Sequence, residues 1–331
     1  MRRDEGNESR APRSLSRRDF VRRLAAATAG SGMVGAALAG CRLTHSQRTE
    51  ASEAVGDKLG KLEKRRLGTR MGDMQVTPVV MSYDWSRDLY APALAVGINF
   101  VHKAGYWTSM PEEFKQIPRE SYYTDITVDT TPNNPDDEEG AYRQVTHSLE
   151  KNGLRYYDIM RCHFGWTSVD EMKQKRGTHR AFARLKKEGK VRYLGVSQHP
   201  YVSYPEIIAA EIDEGLIDSM QVWYSYGTDS ATQEIFAKAH KAGIGMTAMK
   251  VYANGNNRMR GDEAKQAEMK APGMVGRSLI RYALTIRGSD GKPVFDTCVS
   301  NLRNFEMFEE NVGAASPKMA AADGFGLLPH A

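Results

Sequence analysis

Short apolar runs alternate with longer helical segments along most of this chain, and no other feature restricts its fold as strongly. The segment Arg180–Lys190 shows the helical pattern: Phe182 and Leu185 lie three residues apart, and Gly189 ends the helix. Apolar runs that alternate with such helices predict a parallel β-sheet. The predicted strands are Val79–Tyr83, Ile98–Val101, Thr124–Val128, Tyr157–Cys162, Val191–Val196, Met220–Tyr224, Gly245–Met249 and Thr297–Ser300.

Eight strand–helix units in about 250 residues match the size of a (β/α)8 TIM barrel. An open, doubly wound sheet is the alternative, but it normally carries a glycine-rich phosphate turn after its first strand. Here Ser82-Tyr83-Asp84-Trp85 follow the first strand and contain no such turn. The stretch Lys64–Val76 predicts a short hairpin that covers the bottom of the barrel. We therefore expect a barrel with an N-terminal hairpin over residues 63–318 and a C-terminal tail over residues 319–331.

The first 41 residues have the order of a secretory signal: a charged segment, an apolar segment, and small residues before a cysteine. Arg17-Arg18 followed by Phe20 resembles the twin-arginine export motif, and Leu38-Ala39-Gly40-Cys41 resembles a bacterial lipobox. The resemblance implies export by the twin-arginine machinery and a periplasmic or membrane-anchored lipoprotein that contacts the membrane only through a lipidated Cys41. A buried amphipathic helix and a retained membrane anchor stay open as alternatives. The polar residues 42–62 predict a flexible tether.

Nearly all of the basic excess lies in this leader. Residues 1–40 contain eight arginines and four acidic residues, so the rest of the chain has 38 basic and 37 acidic residues. That balance gives no electrostatic basis for nucleic-acid binding. The chain has 3 cysteines, which excludes a disulfide framework. Cys162 and Cys298 lie in apolar strands, where reduced and buried thiols are expected.

Polar and titratable residues follow the predicted strands at their carboxyl ends. In a TIM barrel these ends converge on one face, and that face carries the active site. A pocket lined by several titratable groups is therefore expected there. The residues concerned are Asp84, His102, Lys103, Asp129, His163, Ser197, Gln198, His199, Gln221, Tyr224, Lys250, Ser300, Asn301 and Arg303.

Several segments together resemble the aldo/keto reductase family. Gly97-Ile98-Asn99-Phe100 resembles the family's entry into its second strand, and Lys187–Ser197 resembles its "KEGKVRAIGVS" segment. Further segments with this resemblance are Lys64–Gly68, Ser148–His163, Ile217–Tyr224 and Arg303–Asn311. The resemblance extends from residue 64 to residue 315. It implies a hydride-transfer enzyme that reduces the carbonyl group of a small molecule with NADPH, or less often with NADH.

The resemblance also implies how the nicotinamide half of the cofactor is held. Ser197, Gln198 and Gln221 would bind the carboxamide, and Tyr224 would stack on the nicotinamide ring. Lys250 would line the pyrophosphate. The family holds this cofactor in an extended form without a glycine-rich phosphate loop, which agrees with the turn after the first strand.

At the other end of the cofactor, the resemblance assigns Ser300, Arg303 and Asn311 to the adenine ribose. Arg303 suits a 2′-phosphate, because a guanidinium binds phosphate through a bidentate fork. This segment is nearly intact, and it therefore favours cofactor binding over a purely structural role. NADP is the expected cofactor, and NAD stays open as an alternative.

The catalytic residues depart from the family's set of Asp, Tyr, Lys and His. His163 occupies the family's histidine position, but His102 stands where the aspartate is expected. The tyrosine position falls on Trp107, with Tyr106 one residue before it, and the lysine position falls on Asp129. The departures leave the family's proton donor without its usual partners.

A rewired set is the expectation that follows. A tyrosine of pKa about 10 is a poor acid at neutral pH unless a cation stabilises its phenolate. His102 or Lys103 would supply that cation, and Asp129 would take over the pairing role of the missing aspartate. The expected catalytic residues are Tyr106, His102, Asp129 and His163.

Two other functions stay open from the sequence. His102, His163, His199, Asp84 and Asp129 are of the types that bind zinc or another divalent metal, although their spacing fixes no site and no metal ligand is assigned. The second alternative is a degenerate relative in the cell envelope that binds a ligand without turnover.

Overall fold

The fold is a closed barrel of eight parallel strands, as the strand–helix alternation predicts. The computed structural model describes residues 45–103, 105–129, 134–163, 166–198, 204–225, 228–252, 275–288 and 290–319. The barrel strands are β3 (Val79–Ser82), β4 (Phe100–His102), β5 (Tyr123–Asp129), β6 (Tyr157–His163), β7 (Val191–Gln198), β8 (Ser219–Trp223), β9 (Gly245–Met249) and β10 (Thr297–Ser300). Each strand pairs with its sequence neighbour, and β10 closes the barrel on β3.

An antiparallel hairpin of β1 (Arg65–Arg66) and β2 (Gln75–Val76) precedes the barrel, which confirms the predicted hairpin. Its loop lies against the amino-terminal end of β9, because Thr69 and Arg70 both donate backbone hydrogen bonds of 2.9 Å to the Gly243 carbonyl. Leu67, Met71 and Met74 are buried and form one apolar cluster with residues inside the barrel. The hairpin therefore closes the bottom of the barrel, and only the carboxyl end of the strands is left for a site.

Helices cover the outside of the barrel. They are α1 (His45–Leu59), α2 (Tyr90–Ala95), α3 (Glu112–Lys115), α4 (Glu138–Asn152), α5 (Val169–Gln174), α6 (Gly177–Lys187), α7 (Tyr204–Glu214), α8 (Ser230–Lys241), α9 (Val275–Thr285) and α10 (Phe305–Gly313). Helix α4 illustrates why they form at these places: Asp137 caps its first turn through Gly140 N, and Gly153 ends it in a left-handed conformation. Val145 and Leu149, four residues apart, face the barrel.

Helix α1 corrects one expectation. The flexible tether predicted for residues 42–62 is wrong for residues 45–59, which form this helix. Val55 and Leu59 are buried on one face of α1, and the Ser316 hydroxyl donates to the Leu59 carbonyl at 2.5 Å. Lys58 forms an ion pair with Glu309 on α10. Few apolar residues stand in this segment, which is why it resembles a polar linker in the sequence.

Residues 1–44, which include the predicted signal and Cys41, lie outside the described residues. So does the predicted tail, apart from Met319. Among the helices that the structure describes, none is both long and apolar enough to cross a membrane. Cys162 and Cys298 are free and buried, as expected for strand residues.

Candidate active site at the carboxyl end of the barrel

A buried ionic network forms the floor of the barrel mouth. It joins three neighbouring strands: His102 ends β4, Asp125 lies in β5 and Arg161 lies in β6. His102 Nδ1 lies 2.9 Å from Asp125 Oδ2, and Arg161 Nε donates to the same oxygen at 2.6 Å. The backbone N–H of Lys103 donates to Asp125 Oδ1 at 2.8 Å. Asp125 and Arg161 are 0% exposed, so the network is sealed from solvent on the Asp125 side.

The surroundings of Asp125 keep it ionised. Its burial alone would raise the pKa, but the charges of His102 and Arg161 and their hydrogen bonds outweigh burial and lower the pKa to about 2. An ionised carboxylate has no proton to donate, so it accepts from His102 Nδ1. The proton of neutral His102 therefore lies on Nδ1, and Nε2 is the nitrogen that is free to exchange a proton.

The guanidinium of Arg161 fits inside the barrel because a glycine faces it. A Cβ on Gly195 would lie 3.2 Å from Arg161 Cγ and 3.3 Å from its NH1 atom. Arg161 NH1 donates to the Ser219 hydroxyl at 3.2 Å. Gly195 and Ser219 are directly paired across β7 and β8, so two small residues make the space for this side chain.

The outer part of the mouth carries a second, open pair. Asp129 and His163 end β5 and β6 and are neighbours in register. Asp129 Oδ1 lies 3.8 Å from His163 Nδ1, and their side chains are 46% and 43% exposed. In the same register His163 is followed by Ser197 on β7 and by Gln221 on β8. Asp129 therefore pairs with His163, and the partner of His102 is Asp125.

Gln221 links the rim to the floor. Its Nε2 lies 3.3 Å from His102 Nε2, and the residue is buried. An amide carries a donor and an acceptor at one end, so Gln221 can pair with His102 Nε2 whether or not that nitrogen holds a proton. Ser197 is buried beside it on β7. These two residues lie at the mouth of the barrel.

The structure does not bring Tyr106 to this site. After β4 the chain turns outward, and Tyr106 packs against a cluster on the outer face of β5 that includes Val128 and Leu149. The carbonyl of Trp107 accepts a hydrogen bond of 2.7 Å from Lys151 near the end of α4. The Trp107 side chain is 54% exposed. Tyr106 as a catalytic residue is therefore wrong, because the loop carries it behind the sheet.

Tyr224 is also placed differently from the expectation. Gln221 points into the barrel, and Tyr224, three residues later, points outward by the alternation of the strand. Its ring is fully buried, stacks on Tyr282 with centroids 5.9 Å apart, and lies 4.7 Å from Phe295. A ring enclosed in this way is not available to stack on a nicotinamide, so that assignment is wrong.

The residues expected around the adenine end lie between β10 and α10. Arg303 is exposed, and its NH1 atom donates to the Asp84 carbonyl at 3.0 Å. Asn304 caps the first turn of α10 through Met307 N at 2.8 Å. Arg303 and the start of α10 line a cleft together with Ser86, Asp88 and Leu89.

The other three assigned residues lie around this segment. Ser300 ends β10 and is buried, and Asn311 is buried on α10. Both lie beside the hydroxyl of Tyr252. Lys250 follows β9 in a left-handed backbone conformation, with φ of 58°. The side chain of Gln198 and all of His199 lie outside the described residues.

No group of three histidine, cysteine, aspartate or glutamate side chains within the described part of the chain is placed to hold a metal ion. His102 and His163, two of the ligand types considered, are each engaged by a different aspartate. The described mouth is thus a site of histidine–carboxylate pairs.

Asp125 and Arg161 are the residues that the sequence reasoning missed. Both residues lie inside strands, whereas the site prediction considered polar residues at the carboxyl ends of the strands. A usable signal exists: Asp125, Thr127 and Asp129 alternate along β5, and Arg161 and His163 alternate along β6. A charged residue that lies two or four positions before a strand-end residue points to the same side of the sheet. Such residues therefore predict a polar interior beneath the mouth of the barrel.

Comparisons with known proteins agree with this architecture. The model of the Aldo/keto reductase family matches residues 70–314. L-galactose dehydrogenase of Arabidopsis thaliana is 26% identical over 176 residues, which are 49% of this chain and 54% of that protein. The chain thus spans about half the length of that curated relative.

Solved structures add the likeness of the fold. The holo form of the aldo-keto reductase AKR11C1 from Bacillus halodurans superposes with a TM-score of 0.57 and 20% identity over 77% of this chain and 90% of that chain. A Pseudomonas aeruginosa protein assigned as an aldo-keto reductase has a TM-score of 0.58 and 17% identity over 79% of this chain and 98% of its own. At these sequence identities, the similarity establishes the barrel fold and gives no information about the substrate.

Proposed function

The chain belongs to the aldo/keto reductase family, and we propose that it interconverts the carbonyl and alcohol forms of a small molecule with NADP(H). The observation that carries this proposal is the convergence of two histidine–carboxylate pairs and the cofactor segment on one end of a family barrel. Bound there, the cofactor would supply or accept a hydride at the substrate carbon. The chain's own residues would handle the proton and the orientation of the substrate.

The adenine-end residues fit a dinucleotide. The start of α10 lines the cleft and places the partial positive charge of a helix amino terminus there, and Arg303 adds a full charge. Asp88 lines the same cleft, and a carboxylate suits a free ribose 2′-hydroxyl better than a 2′-phosphate. Arg303 and Asp88 therefore act in opposite senses on the choice between NADP and NAD, and we propose that Arg303 prevails because a guanidinium binds a 2′-phosphate through a bidentate fork.

His102 is the proposed acid and base. In reduction its Nε2 gives a proton to the carbonyl oxygen, and in oxidation it takes the proton from the alcohol. One-tenth of its side chain is exposed, so the ring reaches the mouth while Nδ1 stays with Asp125. His163 and Asp129 lie further out and half-exposed, where they orient the polar groups of the substrate.

A polyhydroxylated aldehyde or sugar is the substrate class we propose. Support comes from the L-galactose dehydrogenase relative and from the open His163–Asp129 pair, whose nitrogen and oxygen atoms match hydroxyl groups. Oxidation of L-galactose with NADP⁺ and reduction of 4-nitrobenzaldehyde with NADPH test the two ends of this range.

Cofactor binding to the purified full chain is the deciding experiment. NADPH should quench protein fluorescence and raise the melting temperature, since a ligand at 100 times its Kd stabilises by about 2.7 kcal/mol. Arg303→Ala should weaken NADPH by about 1–3 kcal/mol, the usual value of charge-assisted hydrogen bonds, and leave NADH nearly unchanged. Asp88→Ala is the opposite control, and it should strengthen NADPH binding and weaken NADH binding. Failure of both nicotinamide cofactors to bind a folded chain would refute the proposal and favour a ligand-binding protein without turnover.

Catalytic roles are tested separately. Loss of a general acid typically lowers the rate about 10²–10⁴-fold, so His102→Gln should lower kcat by that range with little change in NADPH affinity. His163→Gln should raise KM more than it lowers kcat. Equal kcat in His102→Gln and the parent protein would remove His102 from the mechanism.

We also propose that the chain is exported by the twin-arginine machinery and anchored through a lipidated Cys41. Support comes from Arg17-Arg18 and from Leu38-Ala39-Gly40-Cys41. Bacteria fed radiolabelled palmitate should label the chain, and Cys41→Ser should lose the label. Replacing both Arg17 and Arg18 by lysine should leave the precursor in the cytoplasm. A label that persists in Cys41→Ser would refute the lipid anchor.

A further inference from the structure

We propose that Arg161 is a positioning residue that sets the charge state of His102 through Asp125. The proposal rests on the proposed function for its catalytic consequence, but its physical core concerns only this chain. Arg161 lies one strand away from Asp125 and touches it directly, at 2.6 Å from Nε to Oδ2. No hydrogen bond joins Arg161 to His102, so any effect on the imidazole passes through the carboxylate.

Asp125 is held from three directions. Lys103 N–H binds Oδ1 at 2.8 Å, Arg161 Nε binds Oδ2 at 2.6 Å, and His102 Nδ1 lies 2.9 Å and 3.0 Å from the two oxygens. These contacts fix both the rotation of the carboxylate and its charge. A fixed, ionised acceptor at Nδ1 locks the imidazole in one tautomer and one orientation, with Nε2 toward Gln221.

Arg161 balances the carboxylate electrostatically. A lone buried aspartate would stabilise the imidazolium form of His102 strongly, because charges interact most strongly where water is excluded. With Arg161 in contact, the Arg161–Asp125 pair is neutral, and its pull on a second proton of His102 is reduced. The imidazole can then release its proton to a substrate and regain it. Without Arg161 the ring would hold the proton.

The other groups that face His102 do not compete for this role. From β8 the facing side chain is the uncharged Gln221. Ser197 on β7, which pairs in register with Gln221, and Ser82 on β3, which pairs in register with His102, are also uncharged. Lys103 is the one further charged residue in contact with Asp125, and it contacts it through its backbone, since its ammonium donates to the Gly105 carbonyl at 2.5 Å. Because Lys103 titrates as well, the experiment needs a background in which it is replaced.

The test is the titration of His102 in the full chain carrying Lys103→Met, labelled with ¹⁵N-histidine. Long-range ¹H–¹⁵N spectra report both the tautomer and the midpoint of protonation, and His102→Gln assigns the signal. We expect the Nδ1–H tautomer in the neutral form. Arg161→Met should move the midpoint to higher pH by at least about one unit, and Arg161→Lys, which keeps the charge, should move it by less than half as much.

A second variant keeps the test decisive if Arg161→Met does not fold. Asp125→Asn removes the negative charge and leaves Arg161 unopposed, so the midpoint should move to lower pH, opposite to Arg161→Met. An unmoved midpoint in the folded variants, or a neutral His102 protonated on Nε2 in the Lys103→Met parent, would overturn the proposal. In NADPH-linked reduction of 4-nitrobenzaldehyde, the pH at half-maximal kcat should follow the same shifts with KM unchanged. If the parent protein binds no NADPH and turns nothing over, the proposed function fails, and the titration still decides the role of Arg161.

Discussion

At the scale of single residues, Lys103 is an unfavourably placed buried charge. It is 0% exposed, its ammonium donates to the Gly105 carbonyl, and it lies 5.9 Å above the ring of Tyr157. Burial and, to a lesser degree, the charge of Lys151 lower its pKa to about 7. The unfolded chain keeps this lysine charged to about pH 10. Below pH 7 the folded state therefore carries the full cost of a buried ammonium, and the cost is relieved as the pH rises from 7 to 10.

Lys103→Met should remove that cost. The Gly105 carbonyl keeps hydrogen bonds from Thr108, so the variant leaves no buried acceptor unpaired. The pKa difference sets an upper limit on the order of 5 kcal/mol, and we expect a gain of at least about 1 kcal/mol at pH 6. Urea unfolding at pH 6 and pH 9 measures it. The difference in the free energy of unfolding between the variant and the parent protein should be smaller at pH 9 than at pH 6. An equal difference at the two pH values would contradict the argument.

Lys250 carries backbone strain at the mouth. Its φ of 58° is uncommon for a residue with a side chain and costs roughly 1 kcal/mol, which a glycine avoids. Lys250→Gly should therefore raise the free energy of unfolding by about 0.5–1 kcal/mol. Lys250→Ala is the control, because it removes the charge and keeps the strain. If Lys250 lines the pyrophosphate, both variants should weaken NADPH equally while only the glycine variant gains stability.

The residues of the site were predictable to different degrees. His102, His163 and Asp129 end strands, and strand ends of a barrel meet on one face whatever the loops do. Tyr106 and Tyr224 come after a strand has ended, where the path of the loop decides the direction of the side chain. The contact between Asp125 and Arg161 depends on which residues of the two neighbouring strands lie side by side. The sequence pattern of one strand does not specify this register.

At the scale of elements, the hairpin is joined to the barrel through a glycine that nothing else can replace. Gly68 has φ of 61°, and a Cβ there would lie 2.4 Å from Gly245 N and 2.6 Å from the Gly243 carbonyl. Both contacts are backbone atoms at the start of β9, so neither can move aside alone. The close approach lets Leu67 reach the apolar cluster inside the barrel.

Gly68→Ala should therefore destabilise the fold by at least roughly 2 kcal/mol, as overpacking against rigid atoms does. Gly153→Ala is a matched control: Gly153 has nearly the same φ, 64°, but nothing within 4 Å of a Cβ, so it should cost only about 1 kcal/mol of backbone strain. Thermal and urea unfolding of the two variants give the difference. Equal decreases in the free energy of unfolding would mean that Gly68 is needed for its positive φ and not for the close packing against β9.

Among elements, the eight strands follow from the spacing of the short apolar runs, and their ends agree with the predicted strands to within a few residues. The spacing of apolar residues predicts these elements because every β/α unit must bury one face against its neighbours. The segment between β4 and β5 has no such repeat: it contains only the four-residue α3 and a short turn of 3₁₀ helix. Its course over α4 comes from single contacts, such as Met110 N with the Asn152 side chain at 2.7 Å, which no periodicity encodes.

At the scale of the whole molecule, α1 extends the barrel beyond the segment that the family model matches, residues 70–314. It lies across α2 and reaches α10, the helix that carries Asn311. Its cation Lys58 pairs with Glu309, two residues before Asn311. A chain anchored ahead of α1 would thus be joined to the barrel by a packed helix, and the orientation of the barrel relative to the anchor would be restricted.

Truncation tests whether α1 is part of the fold. Burying Val55 and Leu59 contributes roughly 1.5–3 kcal/mol each, so a chain that begins at residue 61 should melt several degrees below one that begins at residue 45. Leu59→Ala in the longer chain should reproduce about half of the loss, and Lys58→Ala, an exposed ion-pair partner, almost none. If the two chain lengths melt together, α1 contributes nothing to stability and the segment acts as a tether after all.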